Sequence, residues 1–435
     1  MRAHRRIAAT AALLLALAAT SRAEEAAAPV DLSQSVDALK QRNRDLERRL
    51  ADLESKMGEG ADAQRLRREE VRMIVEQMIG EAKSGMVPGW LSDLKFAGDL
   101  RLRYEYRDRS GAPQRDDRGR FRLRFGFTKA WPKDDLEIGF RLATGADNDP
   151  TSTNQSFGNM FQEYTVGIDR AYARWAPKQL KGFSLTAGKM AIPWESTNLT
   201  WDTDVNPDGV WAEWKVPDLG ALEPFVGAGV FELFSSPAQP EANLAVYQAG
   251  LRYAFTKDVK LSSAVVYYDY SNIDSAFANV AFFNANPRGN TVRGGRLAAG
   301  EFGSVNLVNK LDWVAYNLPM SAFVDFVHNT QDQDRLTDAD NGLAIGFKVG
   351  QNKKKGDWSA RYIWKHLEAD ATLAFFADSD FGFGSSTNRR GSELGFEYNF
   401  TDYLTAGVSF FVTEPDSGRN SEHRFTFQGD LVWKF

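Results

Sequence analysis

The chain has 435 residues, enough for one large domain or two to three ordinary ones, and its formal net charge of -5 leaves the two signs nearly balanced. That balance gives no argument for nucleic acid, and the absence of cysteine excludes disulfides, thiolate metal sites and cysteine nucleophiles. Glycine (36) and phenylalanine (30) are plentiful, and a mean hydropathy of -0.42 is too polar for a bundle of membrane helices.

The first elements are those of an exported protein. Arg2, Arg5 and Arg6 form a positive n-region, and Ile7 to Ala19 is an apolar stretch too short to span a bilayer. Ser21-Arg22-Ala23 then supplies a cleavage site, so 1–23 is expected to be a signal peptide. Arg5-Arg6 lacks the rest of a twin-arginine signal. No later stretch reaches ~18 consecutive apolar residues.

Residues 24–60 are predicted to form a periplasmic coiled coil. Leu32, Val36, Leu39, Asn43, Leu46, Leu50, Leu53 and Met57 follow alternating four- and three-residue steps, with leucine at every d position. Asn43 at one a position would fix register at some cost in stability. The alternative is a single amphipathic helix packed on another element. Gly58-Glu59-Gly60 breaks the helix. A second helix and linker, 61–89, carries Leu66, Val71, Ile74, Met78 and Ile79 on one side and ends at Gly85, Pro88 and Gly89.

From residue 94 the period switches to two. Leu94, Phe96, Leu100, Leu102, Tyr104 and Tyr106 alternate with Asp99, Arg101, Arg103, Glu105 and Arg107. Phe121, Leu123, Phe125 and Phe127 alternate with Arg120, Arg122 and Arg124. Sixteen strands are predicted: 94–107, 117–131, 135–145, 167–176, 182–190, 209–216, 222–233, 244–255, 258–270, 309–317, 319–330, 341–351, 356–367, 388–400, 402–413 and 423–435. A soluble sandwich would alternate in the same way. The connections discriminate, because seven short turns alternate with eight long loops, and an even strand count with loops sorted to one rim is the pattern of a transmembrane barrel. Trp131, Trp175, Phe183, Trp214, Phe225, Phe255, Tyr316, Trp358, Phe400, Tyr403 and Phe435 cluster beside the short turns, as an aromatic girdle would. The last predicted strand ends on Phe435, which resembles the signal read by outer-membrane assembly machinery. The expectation is an all-β fold: a 16-stranded antiparallel transmembrane β-barrel over 90–435, with an N-terminal α-helical coiled-coil segment.

Several runs carry a family resemblance. Gly98-Asp99-Leu100-Arg101-Leu102-Arg103-Tyr104-Glu105 and Arg120 to Phe127 are similar to the opening strands of the putative porin family of Gram-negative bacteria, a relative of the phosphate-selective porins. Ala171-Tyr172-Ala173-Arg174-Trp175, Gly188-Lys189-Met190 with Pro193, and Trp201 to Gly209 resemble its middle section. No single run is a fingerprint, and their order makes the match. The resemblance implies a trimeric sixteen-stranded outer-membrane barrel for passive diffusion of small solutes. It also implies contact with membrane lipid and lipopolysaccharide.

In such a barrel the polar face of each strand points to the lumen. Arg101, Arg103, Arg107, Arg120, Arg122, Arg124, Arg141, Arg170 and Arg174 would then form a basic wall, diluted by Glu105 and Glu137, with a weak anion preference. Asp325, Glu393 and Glu397 are expected inward on other strands. The third long loop, 191–208, carries Glu195, Asp202, Asp204 and Asp208, and folded inward it would set these carboxylates against the arginines. Two other readings are a phosphate- or pyrophosphate-specific channel, and a barrel whose coiled coil ties the outer membrane to peptidoglycan or a periplasmic protein.

No enzymatic or metal motif stands out, and no cofactor is expected. Asp202, Asp204, Asn206 and Asp208 are spaced like calcium ligands, but the sixth position, which wants glycine, is Pro207. Counted from Asp204, Gly209 fits and Lys215 takes the place of the closing acid. Asp332, Asp334, Asp338 and Asp340 form a second acidic loop. His328, His366 and His423 are far apart in sequence and have no metal-ligand spacing. No serine is placed with a base and an orienting acid.

Overall fold

A computed structural model of the protein describes residues 94–109, 116–146, 148–217, 219–331, 338–382, 386–417 and 423–435. The expected signal peptide, coiled coil and second helix lie outside these residues. The first strands are β1 (Leu94–Arg109), β2 (Asp116–Trp131), β3 (Leu136–Thr144), a two-residue β4 (Gln155–Ser156), β5 (Val166–Trp175), β6 (Phe183–Lys189), β7 (Asp208–Lys215) and β8 (Leu222–Phe234). Then come β9 (Ala242–Thr256), β10 (Val259–Ser271), helices α1 (Ile273–Asn279) and α2 (Ala281–Ala285), and a small hairpin of β11 (Val292–Arg293) and β12 (Arg296–Leu297). The chain finishes with β13 (Gly303–Ala315), β14 (Leu318–Asn329), β15 (Asn341–Gly350), β16 (Trp358–Leu367), β17 (Arg389–Asn399), β18 (Leu404–Pro415) and β19 (Arg424–Lys434).

Sixteen of these strands form a closed antiparallel barrel, sealed where β19 pairs with β1. Phe435 completes the seam by exchanging backbone hydrogen bonds with Gly98, at 2.8 and 3.1 Å. Gly98 has no Cβ to collide with the Phe435 ring. Short turns and long loops alternate throughout the described chain. The turn at Tyr316-Asn317 shows why the short ones stay short: both residues have φ near +55° (53° and 61°), the two-residue geometry that matches strand twist.

The predicted strand bounds agree with the structure to within a few residues except at β13, which starts at Gly303 rather than 309. Its inward residues there, Ser304 and Asn306, are small and polar yet fully buried, so the alternation of hydrophobicity is weak. Residues 272–302, which fall in the long connection expected over 271–308, hold both helices and the hairpin.

Period-two alternation gives each strand two faces. On the outside, Phe96, Phe125, Ile345, Phe347 and Phe396 are 43–56% exposed, and similar residues follow on every side of the barrel. Leaving such a belt in water costs ~25 cal/mol per Å² of apolar surface, a cost that lipid removes. Trp131, Trp175, Trp214, Phe255, Tyr316, Trp358, Phe400, Tyr403 and Phe435 are exposed beside the short turns. Phe225 departs from the predicted girdle: it points inward, 1% exposed, with the Arg252 guanidinium 4.6 Å from its ring centroid.

The interior has two unlike halves. Inside β7 to β10 the inward residues toward the long loops are apolar: Trp211, Phe231, Leu244, Val246, Val266, Tyr268 and Tyr270. They bury a plug made by three loops, L3 (190–207), L5 (272–302) and L7 (368–388). Trp201 of L3 stacks on Phe376 of L7 at 5.1 Å, and Phe283 of L5 meets Phe375 of L7 at 4.6 Å. Asn290 of L5 holds L7 by side-chain bonds to the backbone of Ala369, Thr372 and Ala374. Gly289, at φ +111°, brings L5 so close to Thr387 that a Cβ would lie 2.3 Å from its carbonyl oxygen. The opposite half, inside β1, β2 and β16 to β19, is polar.

Candidate functional site

The polar half encloses a cavity of about 270 Å³ between β1 and β2 on one side and β16 to β19 on the other, roofed by Asn198 of L3 and by Asp378 and Asp380 of L7. Four arginines reach it: Arg101, Arg103, Arg122 and Arg361. Five carboxylates answer them: Asp378, Asp380, Glu393, Glu397 and Asp430. Lys365, bonded to Asp378 at 2.5 Å, supplies a fifth cation from behind.

Strand register sets these pairs. Arg103 lies opposite Asp430 across the closing seam, bonds it at 2.7 and 2.8 Å, and extends to Asp380 at 3.1 Å. Arg361 bonds Glu393 at 2.7 Å and Glu397 at 3.3 Å. Arg122 and Arg124 share Asp99, each at 2.7 Å. Arg101 differs. Its Nη2 donates to Asn154 at 2.6 Å, and among the described residues no carboxylate lies within salt-bridge distance of it. Its Nε is buried without an acceptor. Arg101 is therefore the cavity arginine whose charge is left for whatever occupies the cavity.

L3 crosses the interior to reach the far wall. Thr197 bonds Asp325 of β14, Thr200 bonds Asn306 of β13 at 3.4 Å, and Lys365 of β16 donates to the Asn198 carbonyl at 3.4 Å. Asp202 accepts from the Ser379 backbone N–H and hydroxyl at 3.1 and 3.2 Å, which joins L3 to L7. Burial, with Asp378 and Asp204 beside it, pushes the Asp202 carboxyl well above its usual range. Asp380 shows the reverse balance. Burial works to raise its pKa, yet Arg103, Arg101 and Arg120 together hold it at about 2.

The expected site residues do not all meet. Arg101, Arg103 and Arg122 line the cavity. Arg107 and Arg120 are drawn to Glu105, at 2.7 and 3.4 Å. Arg141 bonds Asp169, Arg170 donates to Asn206 at 2.7 Å, and Arg174 lies opposite Glu137. Of the four acids expected on the third loop only Asp204 faces the arginine wall, 3.6 Å from Arg124 and 4.0 Å from Arg122. Glu195 pairs instead with Arg252 at 2.7 Å, and Asp208 is not in the loop but opens β7, where it pairs with Lys189 at 3.0 Å. Sequence reasoning missed Asp99 and Asp430 as partners, although each shares the polar face of its strand. It also missed Asp378 and Asp380, for which a loop sequence carries no signal.

Comparison with known proteins agrees with this architecture. A protein family described as "Putative porin" matches residues 111–293 and 294–435. A search of the curated proteins finds no match. Among solved structures, OprB of Pseudomonas putida at high pH superposes with a TM-score of 0.53 at 13% identity, over 79% of this chain and 94% of that one. A loop-deletion mutant of OmpT, an outer membrane protein of Vibrio cholerae, gives 0.44 at 11% identity, over 78% of this chain and all (100%) of that one. A double mutant of the Rh. blastica porin gives 0.42 at 10% identity, over 79% and 100%. At these identities the likeness to OprB concerns the fold alone. The family match spans most of the chain and both halves of the barrel: the chain belongs to the putative porin family.

Proposed function

We propose that this barrel is an outer-membrane channel for passive diffusion of small hydrophilic solutes and ions, with a weak preference for anions. The observation that carries the reading is the asymmetry of the interior. Apolar residues plug one half, and a charge-lined cavity remains along the other. A water-filled path needs polar walls, and the polar half supplies them. Nearly every fixed charge there has an opposite partner, so the field on a passing solute is local and largely dipolar. The five cations and five carboxylates balance, and Arg101, with no carboxylate at contact distance among the described residues, supplies the local positive charge on the β1 wall. A phosphate- or pyrophosphate-specific channel needs tiers of uncompensated cations, and the carboxylates on Arg103, Arg122 and Arg361 argue against it. Assembly as a homotrimer within lipid and lipopolysaccharide belongs to the same proposal.

Single-channel recording of the purified protein in a planar bilayer tests it. Ohmic steps, in threes for a trimer, with a small anion-favouring reversal potential under a salt gradient are expected. A folded, heat-modifiable barrel that passes no current would overturn the channel reading.

A further inference from the structure

The three described histidines are separated in sequence, yet all of them lie on the outward face at the long-loop rim between β14 and β19, and each has a carboxylate neighbour. His328 is 3.7 Å from Asp340, His366 2.6 Å from Asp416, and His423 3.4 Å from Glu414. One of these pairs has a third member. His366, Glu368 and Asp416 each place a ligand atom within 4.8 Å of the other two.

We propose that His366, Glu368 and Asp416 form a binding site for a divalent metal ion of the zinc class, completed by water. One imidazole nitrogen and two carboxylate oxygens suit zinc and its borderline neighbours better than calcium or magnesium, which take oxygen ligands. Bonds of about 2.0–2.1 Å place tetrahedral donor atoms roughly 3.3 Å apart, so the cluster needs only small side-chain shifts to close on an ion. The ion would take the place of the direct His366–Asp416 contact.

The ligands are held from fixed backbone rather than from loop tips. His366 is in β16, and Glu368 follows it by two residues. The Glu368 carboxylate accepts the Asn341 backbone N–H at 2.8 Å, and its own N–H donates to the Asn341 carbonyl at 3.0 Å. Asp416 sits just past β18, where its N–H bonds the Asn388 carbonyl at 3.1 Å and the next residue bonds the Asn388 side chain. Such outer contacts orient ligands before the ion arrives. Arg390, opposite His366 on the intervening strand β17, bonds Glu414 at 2.6 Å, so its charge is already answered. Trp364 lies 6.3 Å from His366 on the lipid side, which shelters one flank and leaves the rim side open to water.

The site would link two parts of the channel that are distant in sequence. Glu368 opens L7, the loop that carries Asp378 and Asp380 into the cavity. An ion held between Glu368 and Asp416 would tie the root of L7 to the end of β18 across β17.

Equilibrium dialysis of the full-length, tag-free protein folded in detergent against zinc tests the proposal. Cobalt absorption reports ligand number and geometry independently. One tight zinc per chain is expected, weakened more than about tenfold in each of H366Q, E368Q and D416N. H423Q, on the same rim, should bind like the parent. Heat modifiability confirms that each variant is folded. No saturable zinc on the folded parent, equal binding by H366Q, or loss in H423Q matching that in H366Q would each overturn the assignment.

Discussion

Replacing Arg101 by glutamine isolates the charge that the cavity leaves unanswered. Arg101 has only Asn154 as a side-chain hydrogen-bond partner, and Asp380, whose carboxyl its charge helps hold down, keeps its bond to Arg103. For an ion passing about 6 Å away through water, a unit charge is worth about 0.7 kcal/mol. At about 0.1 M salt, with a screening length of about 10 Å, that falls to roughly 0.4 kcal/mol. The term has opposite signs for cations and anions, so their permeability ratio should move by about 0.8 kcal/mol, or roughly fourfold toward cations. At about 1 M the screening length is about 3 Å, and the shift should shrink to less than about 1.5-fold. Reversal potentials across a potassium chloride gradient at the two ionic strengths read both numbers. No shift at low salt would refute the placement of Arg101 on the conducting path. A shift that persists at high salt would refute the electrostatic account and point to a rearranged pore.

Arg103→Met should behave differently, because it leaves Asp430 and Asp380 without their cation. A loss of about 3–5 kcal/mol is expected, read as an earlier heat-modifiability midpoint, with partial recovery when D430N is added. Trp201→Ala removes an aromatic that Trp194, Tyr268 and Phe376 surround, at a cost of about 3–5 kcal/mol to the seating of L3 and L7. Its single-channel conductance should rise and grow noisier as the plug loosens. Asp380 supplies a pH test. Its folded pKa of about 2 lies below its unfolded value of about 3.9, so its stabilisation is complete above the unfolded value and is lost as pH falls through about 2. The parent should therefore be more stable than D380N at neutral pH, and the two heat-modifiability midpoints should converge near pH 2. Asp202 has the opposite sign: its raised pKa favours the folded state at acid pH, and that contribution is lost as pH rises through the elevated value.

The barrel was legible in the sequence because its requirements are repetitive. Each strand needs one apolar face for lipid, and a period of two over ten residues announces it. The lengths of the connections then sort the strands into pairs. The interior was less legible because inward residues answer to partners rather than to a solvent. On β1 and β2 the arginines were visible, but whether each is free depends on register. Arg101 lies opposite Arg122, whereas Arg103 lies opposite Asp430, and no local pattern separates those two cases. On β9 and β10 the inward Leu244, Val246, Val266 and Tyr268 are as apolar as the outward Tyr247 and Val265, so the strands carry no sign that one face meets a plug. The histidines on the rim show the same limit. His366 and Asp416 are separated by fifty residues (|i−j|=50) and by a whole strand, and only the closed sheet brings them together.

The plug also changes which part of the chain sets the path of a solute. An empty barrel of this size would expose every inward strand face to water. Here L3, L5 and L7 fill the side inside β7 to β10 with aromatic and aliphatic side chains, which restricts the polar route to β1, β2 and β16 to β19. L7 then lies on both sides of the division. Leu373 and Phe375 anchor it in the plug, while Asp378 and Asp380, a few residues on, enter the cavity. The position of those two carboxylates is thus held by hydrophobic burial on one side and by Lys365 and Arg103 on the other. Loosening either hold moves negative charge within the cavity. A substitution far from the path, such as Trp201→Ala, should therefore change selectivity along with conductance, whereas Arg101→Gln should change selectivity and leave the plug in place.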